Sequence, residues 1–325
     1  MALLQRLLRA FNTLSTAETD DRTRFGALGE EYAGKIIDHE QGTFSISNPI
    51  IPHPTKPGLY LEGDFLVYTQ GNLFSVEIKN YKGQISYLPR YREMQIKKRW
   101  LFFFTRTVIQ QVQDGYDDSK ILQRKVGKYG EGTFVKEYAN PLKKNRYFIH
   151  HLKQYLTQID TRFKNLYIIP VVGFGDYADI RQIYSFEQGM ITIKDIPAFF
   201  DKHANQRING TIPGWILEGL QRIPTWDKVL TNNDQLINGI LEDKALTFTD
   251  ANQKHYSIPY STIETVTISR KIGFSEFDDI QIVSVGGKKQ HFTSSRGHVH
   301  LEHFGDHQSH EIRHLKKIIV GVANK

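Results

Sequence analysis

The 325-residue chain contains no cysteine. Disulfides, thiolate metal sites and a cysteine nucleophile are therefore excluded, and a reducing cytoplasm is the expected compartment. It also lacks any run near the roughly 18 consecutive apolar residues of a membrane span, and no signal-type apolar segment with a small-residue cleavage site opens it. A chain without integral membrane association is expected. Acidic side chains are in the minority, 35 against 42 Lys and Arg, which leaves a formal charge of +7 and a pI near 9.2. That balance favours an anionic partner such as nucleic acid, and is also compatible with a membrane surface or with solubility alone. No internal repeat is visible. What the chain does have is 39% hydrophobic residues, enough for a real core and for two domains.

Residues 1–14 place Leu3, Leu4, Leu7, Leu8, Phe11 and Leu14 at helical spacing with Arg6 and Arg9 between them. They read as an amphipathic helix within 1–21, for docking on the protein or a partner, or for weak membrane-surface association. Residues 24–38 read as a second helix with Phe25, Leu28, Tyr32, Ile36 and Ile37 as its apolar stripe, and Glu30 and Glu31 beside it. After a Pro-rich loop, two alternating segments, Asp64–Tyr68 and Leu73–Lys79, flank Thr69-Gln70-Gly71-Asn72, a hairpin turn by its chemistry. Asn140-Pro141 reads as an N-cap followed by Pro at the first helical position. The helix after it carries Leu142, Ile149, Leu152, Leu156 and Ile159. Leu166–Phe174 has the apolar, β-branched character of a buried strand. This order predicts an α/β fold with a mixed sheet flanked by helices. Pro213, Gly214 and Pro224 bracket a linker or short connecting helix at 211–229. From 230 to 325 the chain predicts a smaller, mostly β accessory domain, with strands at Leu246–Thr249, Tyr256–Pro259, Thr262–Ser269, Asp279–Ser284 and Lys289–Phe292 and a closing helix at Glu311–Val320.

Centring the hairpin between Gln70 and Gly71 sets Asp64 opposite Glu77. Alternation then puts Leu66, Ser75 and Lys79 on that face and Phe65, Val67, Phe74, Val76 and Ile78 on the other, so one face is core and the other carries chemistry. Opposed like charges with Cβ atoms about 5 Å apart are unfavourable without a cation between them. A divalent ion and Lys79 supply that charge, and two carboxylates suit Mg²⁺ or Mn²⁺. The competing interpretation is a solvated salt-bridge ladder on an exposed sheet face.

Gly29-Glu30 on a helix, then Gly63-Asp64-Phe65-Leu66-Val67, then Phe74-Ser75-Val76-Glu77-Ile78-Lys79-Asn80-Tyr81-Lys82-Gly83 together resemble the nuclease-related domain (NERD) family of the PD-(D/E)XK nuclease superfamily. Asn140-Pro141 and Tyr167–Phe174 follow in that family's order, over residues 22–176. The resemblance implies a restriction-endonuclease-like sheet in residues 22–210. It also implies a Mg²⁺- or Mn²⁺-dependent phosphodiesterase acting on nucleic acid, DNA favoured, in DNA processing or defence. Glu30, Asp64, Glu77 and Lys79 become the catalytic set, with Glu31 a rival to Glu30, and Asp64, Glu77 and Ile78 the metal ligands. Two departures stand out. Lys144 replaces a frequent glutamine, and the 84–139 segment is longer than the family leads one to expect.

That insertion is basic. Residues 82–128 hold eleven Lys or Arg against four acids, with Tyr and Trp interleaved. Lys82, Lys97, Lys98, Arg99 and Lys144 are candidate nucleic-acid contacts; a solvated basic helix followed by a core strand at Trp100–Thr105 is the alternative. The C-terminal part more weakly resembles a bacterial PH-like domain, which would offer a surface for a protein partner. Its histidines include His298 with His300, and His310 with His314 at i, i+4 spacing, either of which can chelate a transition metal or simply be solvated. His150 and His151 follow Asn140-Pro141. The functional alternatives are a non-catalytic nucleic-acid-binding or scaffold module and a membrane-peripheral adaptor.

Overall fold

Helix α1 (Asp21–His39) leads into strands β1 (Phe44–Ser47), β2 (Ile50–Pro52), β3 (Tyr60–Glu62), β4 (Phe65–Thr69) and β5 (Asn72–Lys79). They belong to a computed structural model that describes residues 21–40, 42–99, 105–126, 132–204, 212–233, 235–250, 252–270, 278–303 and 306–321. The helix expected at 1–14 lies outside the described residues. Gln70 and Gly71 both take positive φ, 50° and 82°, as the twist-matching hairpin turn requires. The resulting register pairs Phe65 with Val76, Leu66 with Ser75 and Thr69 with Asn72. Its continuation sets Asp64 against Glu77, as expected.

The hairpin lies in a mixed five-stranded sheet, β1-β4-β5-β9-β11, where β9 is Ile168–Phe174 and β11 is Met190–Thr192. Strand β5 runs parallel to β9 and antiparallel to β4. Phe65, Val67, Phe74, Val76 and Ile78 pack with Ala33 and Ile37 of α1 and with Ile196, Phe199 and Phe200 of α3 (Ile196–Lys202). Leu66, Tyr68 and Leu73 pack on the other face with Phe148, Leu152 and Leu156 of α2 (Pro141–Ile159) and Ile216 and Leu220 of α4 (Gly214–Leu220). Both sheet faces are therefore core. The expectation of an open chemistry face is corrected, because α2 covers it, and the chemistry is confined to the sheet's end. Of the stripe expected on α1, Ile37 is buried and Ile36 packs on the same core, the Phe25 side chain lies outside the described residues, and only the inclusion of Leu28 and Tyr32 is corrected. Leu28 and Tyr32 are exposed while Gly29, Ala33 and Ile37 are buried, because a helix lying close on a sheet presents its small residues to it.

Helix α2 starts where expected, with the Asn140 side chain accepting from Leu142 N and Pro141 in the first turn. Buried Asn145 ties it to the sheet: Ser75 Oγ donates to its Oδ1 (2.6 Å), and its Nδ2 donates to Ser75 O (2.7 Å) and Val171 O (3.0 Å). Asn145→Ala leaves a buried hydroxyl and two carbonyls short of partners. We expect a loss of about 2 kcal/mol, read by urea denaturation; a loss within about 0.5 kcal/mol contradicts this role.

The basic insertion is neither a helix nor followed by a core strand in its described part. It is a long antiparallel hairpin, β6 (Gly83–Arg99) with β7 (Thr105–Val126), paired from Gln84↔Arg124 to Arg99↔Thr105. Strand β8 (Thr133–Ala139) adds only to Lys120–Val126, and β10 (Ala178–Asp179) only to Gly83 and Gln84. Trp100–Phe104, in the expected core strand, lie outside the described residues.

Beyond α4 come β12 (Asp227–Thr231), β13 (Leu236–Leu241), β14 (Ala245–Asp250), β15 (His255–Pro259), β16 (Ile263–Arg270), β17 (Asp278–Ser284), β18 (Lys289–His303), β19 (Asp306–Glu311) and β20 (Leu315–Ile319). They form one nine-stranded antiparallel sheet, and an extra pairing of β13 with the long β18 closes part of it into a ring, leaving β15 and β19 with one partner each. The helix expected at Glu311–Val320 is instead a short 3₁₀ turn and β20. Ile312, Leu315 and Ile318 have helical spacing, but pairing of β20 with β12 and β16 decides for strand. The expected i, i+4 helical approach of His310 and His314 is lost with it.

Candidate active site at the end of the hairpin

Asp64 immediately precedes β4 and Glu77-Ile78-Lys79 ends β5, so antiparallel pairing brings both to one end of the sheet. Ile78 N donates to Asp64 Oδ2 at 2.6 Å. Lys79 Nζ lies 2.7 Å from Glu77 Oε1 and donates to Ile78 O at 3.0 Å. Lys144, one residue before Asn145 on α2, places its Nζ 3.1 Å from the same Glu77 oxygen. Glu77 is only 2% exposed, so the solvated-ladder interpretation does not hold for it.

Two glycines permit the approach of the flanking helices. A Cβ on Gly29 would lie 2.7 Å from Asn80 Cβ, and one on Gly63 would lie 2.7 Å from Phe148 Cε1. Their absence lets α1 and α2 close on the hairpin on either side of Asp64. Glu30, next to Gly29, thereby enters the field of Lys79, Glu77 and Asp64, whereas Glu31 turns to Lys35 at 2.8 Å.

The electrostatics follow from burial. Desolvation first, then the Glu77 charge, pushes Asp64 up to about 7; Lys79 and the Ile78 N–H oppose this without cancelling it. Burial likewise raises Glu30. Burial acts to lower Lys79, but Glu77 and Asp64 outweigh it and hold its ammonium charged above the ordinary lysine range.

Two further charged residues reach this neighbourhood without any signal in local sequence. Glu62 ends β3 and accepts from Trp226 Nε1 at 3.1 Å. Lys228 on β12 feels Glu30 and Glu62, yet burial holds it below the usual lysine range. The junction is stitched by Ile50 N donating to Pro224 O (2.8 Å) and by Tyr60 and Trp226 rings 5.3 Å apart. Long-range pairing alone brings residue 228 to residue 30.

Of the other candidates, Lys82 is exposed with its Nζ 5.9 Å from the Tyr177 ring centre. Lys97 and Lys98 are exposed far along the hairpin; Arg99 ends β6, its side chain outside the described residues. His150 and His151 share Gln154 as their hydrogen-bond partner. His300 Nδ1 pairs with Asp243 at 2.9 Å and His307 with Glu242. Among the described residues no three of His, Cys, Asp and Glu converge as a metal cage, so the histidine spacings do not assemble a chelate there. The hairpin end instead offers two carboxylates, Asp64 and Glu77, beside the Ile78 carbonyl, an all-oxygen set that fits a hard divalent ion.

The mixed α/β sheet thus gathers two carboxylates and a lysine at one end. Residues 25–175 match the family model described as the nuclease-related domain, NERD. No curated protein and no solved structure matches the chain significantly.

Proposed function

We propose that the protein is a divalent-metal-dependent nuclease that hydrolyses phosphodiester bonds in DNA. The observation that carries this is the convergence of Asp64, Glu77 and Lys79 within the nuclease-related segment, with Lys79 Nζ 2.7 Å from Glu77. In this reading the mixed sheet with helices on both faces is a restriction-endonuclease-like fold. The nuclease unit spans 22–210, and 230–325 is an accessory β unit. Asp64, Glu77 and the Ile78 carbonyl would hold Mg²⁺ or Mn²⁺, and such an ion supplies Lewis-acid polarisation of the phosphoryl group. Lys79, always charged, orients the attacking water and stabilises negative charge as it develops on the phosphoryl oxygens. Glu30, its carboxyl raised by burial, is suited to hold a proton near that water. Lys144 contacts a phosphate oxygen, and Lys82, Lys97, Lys98 and Arg99 bind the backbone further out. We place the protein in the cytoplasm, in DNA processing or defence; among the described residues no helix is long and apolar enough to cross a membrane.

One observation favours a second reading, binding without cleavage: Lys79 and Lys144 both lie on the same Glu77 oxygen and already neutralise it. Incubating the purified protein with DNA and RNA in Mg²⁺, Mn²⁺ or EDTA, beside Asp64→Ala and Lys79→Ala, separates the two. Metal-dependent cleavage lost in both variants is the expected result. Cleavage that persists in both, or none under any metal, overturns the nuclease reading.

A further inference from the structure

The β6–β7 hairpin continues past its last sheet neighbour as a two-stranded ribbon, Leu88–Arg99 against Thr105–Asp117. Twelve residues at about 3.3 Å each make it about 40 Å long. No described residue in 90–98 or 107–116 is buried. A lone two-stranded ribbon has no core of its own, so its length is not explained by folding. Strand β6 begins four residues after Lys79, at Gly83.

The register sorts its side chains. Gln95, Lys97, Thr107, Gln111 and Gln113 share one face with Tyr91, Glu93 and Ile109; the reverse face carries Met94, Ile96, Val108 and Val112 with Arg92, Lys98 and the fourth glutamine, Gln110. Three carboxamides, a hydroxyl and an ammonium on one exposed face are the groups that read base edges: Gln pairs bidentately with adenine, Lys with guanine, and Glu accepts from cytosine. The far third, Lys97–Arg99 with Arg106, has cations and no acid. Its acids Asp114 and Asp117 sit towards the root.

We infer that this arm is a groove-reading β-ribbon that enters the major groove of duplex DNA and holds the duplex against the hairpin-end site. The inference rests on the nuclease reading above for the identity of that site. Paired strands about 4.8 Å apart, with their side chains, fit the roughly 12 Å major groove of B-form DNA. The deep, narrow major groove of A-form RNA does not admit them. The geometry thus selects duplex DNA over duplex RNA.

The test is fluorescence anisotropy of the full chain in EDTA, with a short labelled DNA duplex, the RNA duplex of the same sequence and the single strand, at several salt concentrations. Duplex DNA should bind at least about 10-fold tighter than duplex RNA. Gln95→Ala with Gln111→Ala and Gln113→Ala should lose about 10-fold on duplex DNA. Lys97→Ala with Lys98→Ala should lower the slope of log K against log salt by about 2. Thermal melting of each variant should match the parent, since these side chains are exposed. Equal affinity for both duplexes, or unchanged DNA affinity in both variants, overturns the inference. So does Ile96→Asp dissolving a dimer while leaving DNA affinity intact, which would make the arm a contact between copies of the chain. Binding in EDTA needs no cleavage, so Asp64→Ala separates the two readings. Arm variants without effect beside intact metal-dependent cleavage sink only the arm, and arm-dependent binding without cleavage in any metal sinks only the catalytic reading.

Discussion

Replacing Asp64 with asparagine is expected to stabilise the metal-free protein at pH 8 by about 2 kcal/mol and to leave it nearly unchanged near pH 4. In the folded chain, burial and the Glu77 charge raise Asp64 from 3.8 to about 7. The native state therefore holds this proton more tightly than the unfolded state does. Below about pH 4 both states are protonated and the group costs nothing. As pH rises from about 4 to 7 the native state loses stability relative to the unfolded one, and above 7 the full cost is present. A three-unit shift corresponds to about 4 kcal/mol, and we take half because the charge is shared with Glu77. Asparagine removes the titration and its Oδ1 can still accept the Ile78 N–H. Urea denaturation in EDTA at several pH values measures the gap; a gap that is flat with pH, or a less stable variant, contradicts the account. Adding Mn²⁺ should stabilise the parent through linkage and have much less effect on the variant.

Lys79→Met should lower kcat about 10²- to 10³-fold while leaving Mn²⁺ affinity unchanged or tighter. The lysine is held charged by Glu77 and Asp64, so it cannot serve as a general base near neutral pH. Its contribution is a fixed positive charge and donor aimed at the reacting phosphate, a role of that magnitude when removed. The same ammonium opposes a cation beside Glu77 and Ile78 O, so its loss does not weaken metal binding. Methionine keeps the stem's packing, which separates charge from burial. Single-turnover cleavage with isothermal titration of Mn²⁺ decides it. A tenfold or greater loss of Mn²⁺ affinity, with kcat restored at saturating metal, would make Lys79 a structural support for the ligands instead.

Much of the site was legible because it is local. The Gln70-Gly71 turn and strict alternation set the hairpin register, and with it the opposition of Asp64 and Glu77 and the side on which Lys79 falls. Asn140-Pro141 marked the start of α2, and hence a helix that delivers Lys144. Glu30 was reached only through resemblance. The structure supplies its reason: Gly29 lets α1 approach Asn80, a contact between segments fifty residues apart.

The parts read differently were those where periodicity is ambiguous or a partner is distant. Ile312, Leu315 and Ile318 suit a helix as well as a twisted strand, and β12 and β16 decided between them. Leu28 and Tyr32 looked like a buried stripe, but close helix–sheet packing selects Gly29 and Ala33. The basic insertion became a ribbon because β7 pairs along β6 from Gln84 to Arg99, with register shifts only at Tyr87/Leu88 and Pro89/Tyr91. Lys228 and Glu62 carry no motif and are gathered by the docking of β12 beside β2 and β3. The turn chemistry, the alternation and the N-cap were thus determined by the sequence alone, because each is an interaction among residues a few positions apart. The burial of both sheet faces, the raised Asp64 carboxyl and the reach of the arm were decided only by tertiary structure, because desolvation and long-range pairing depend on which distant segments come to lie alongside.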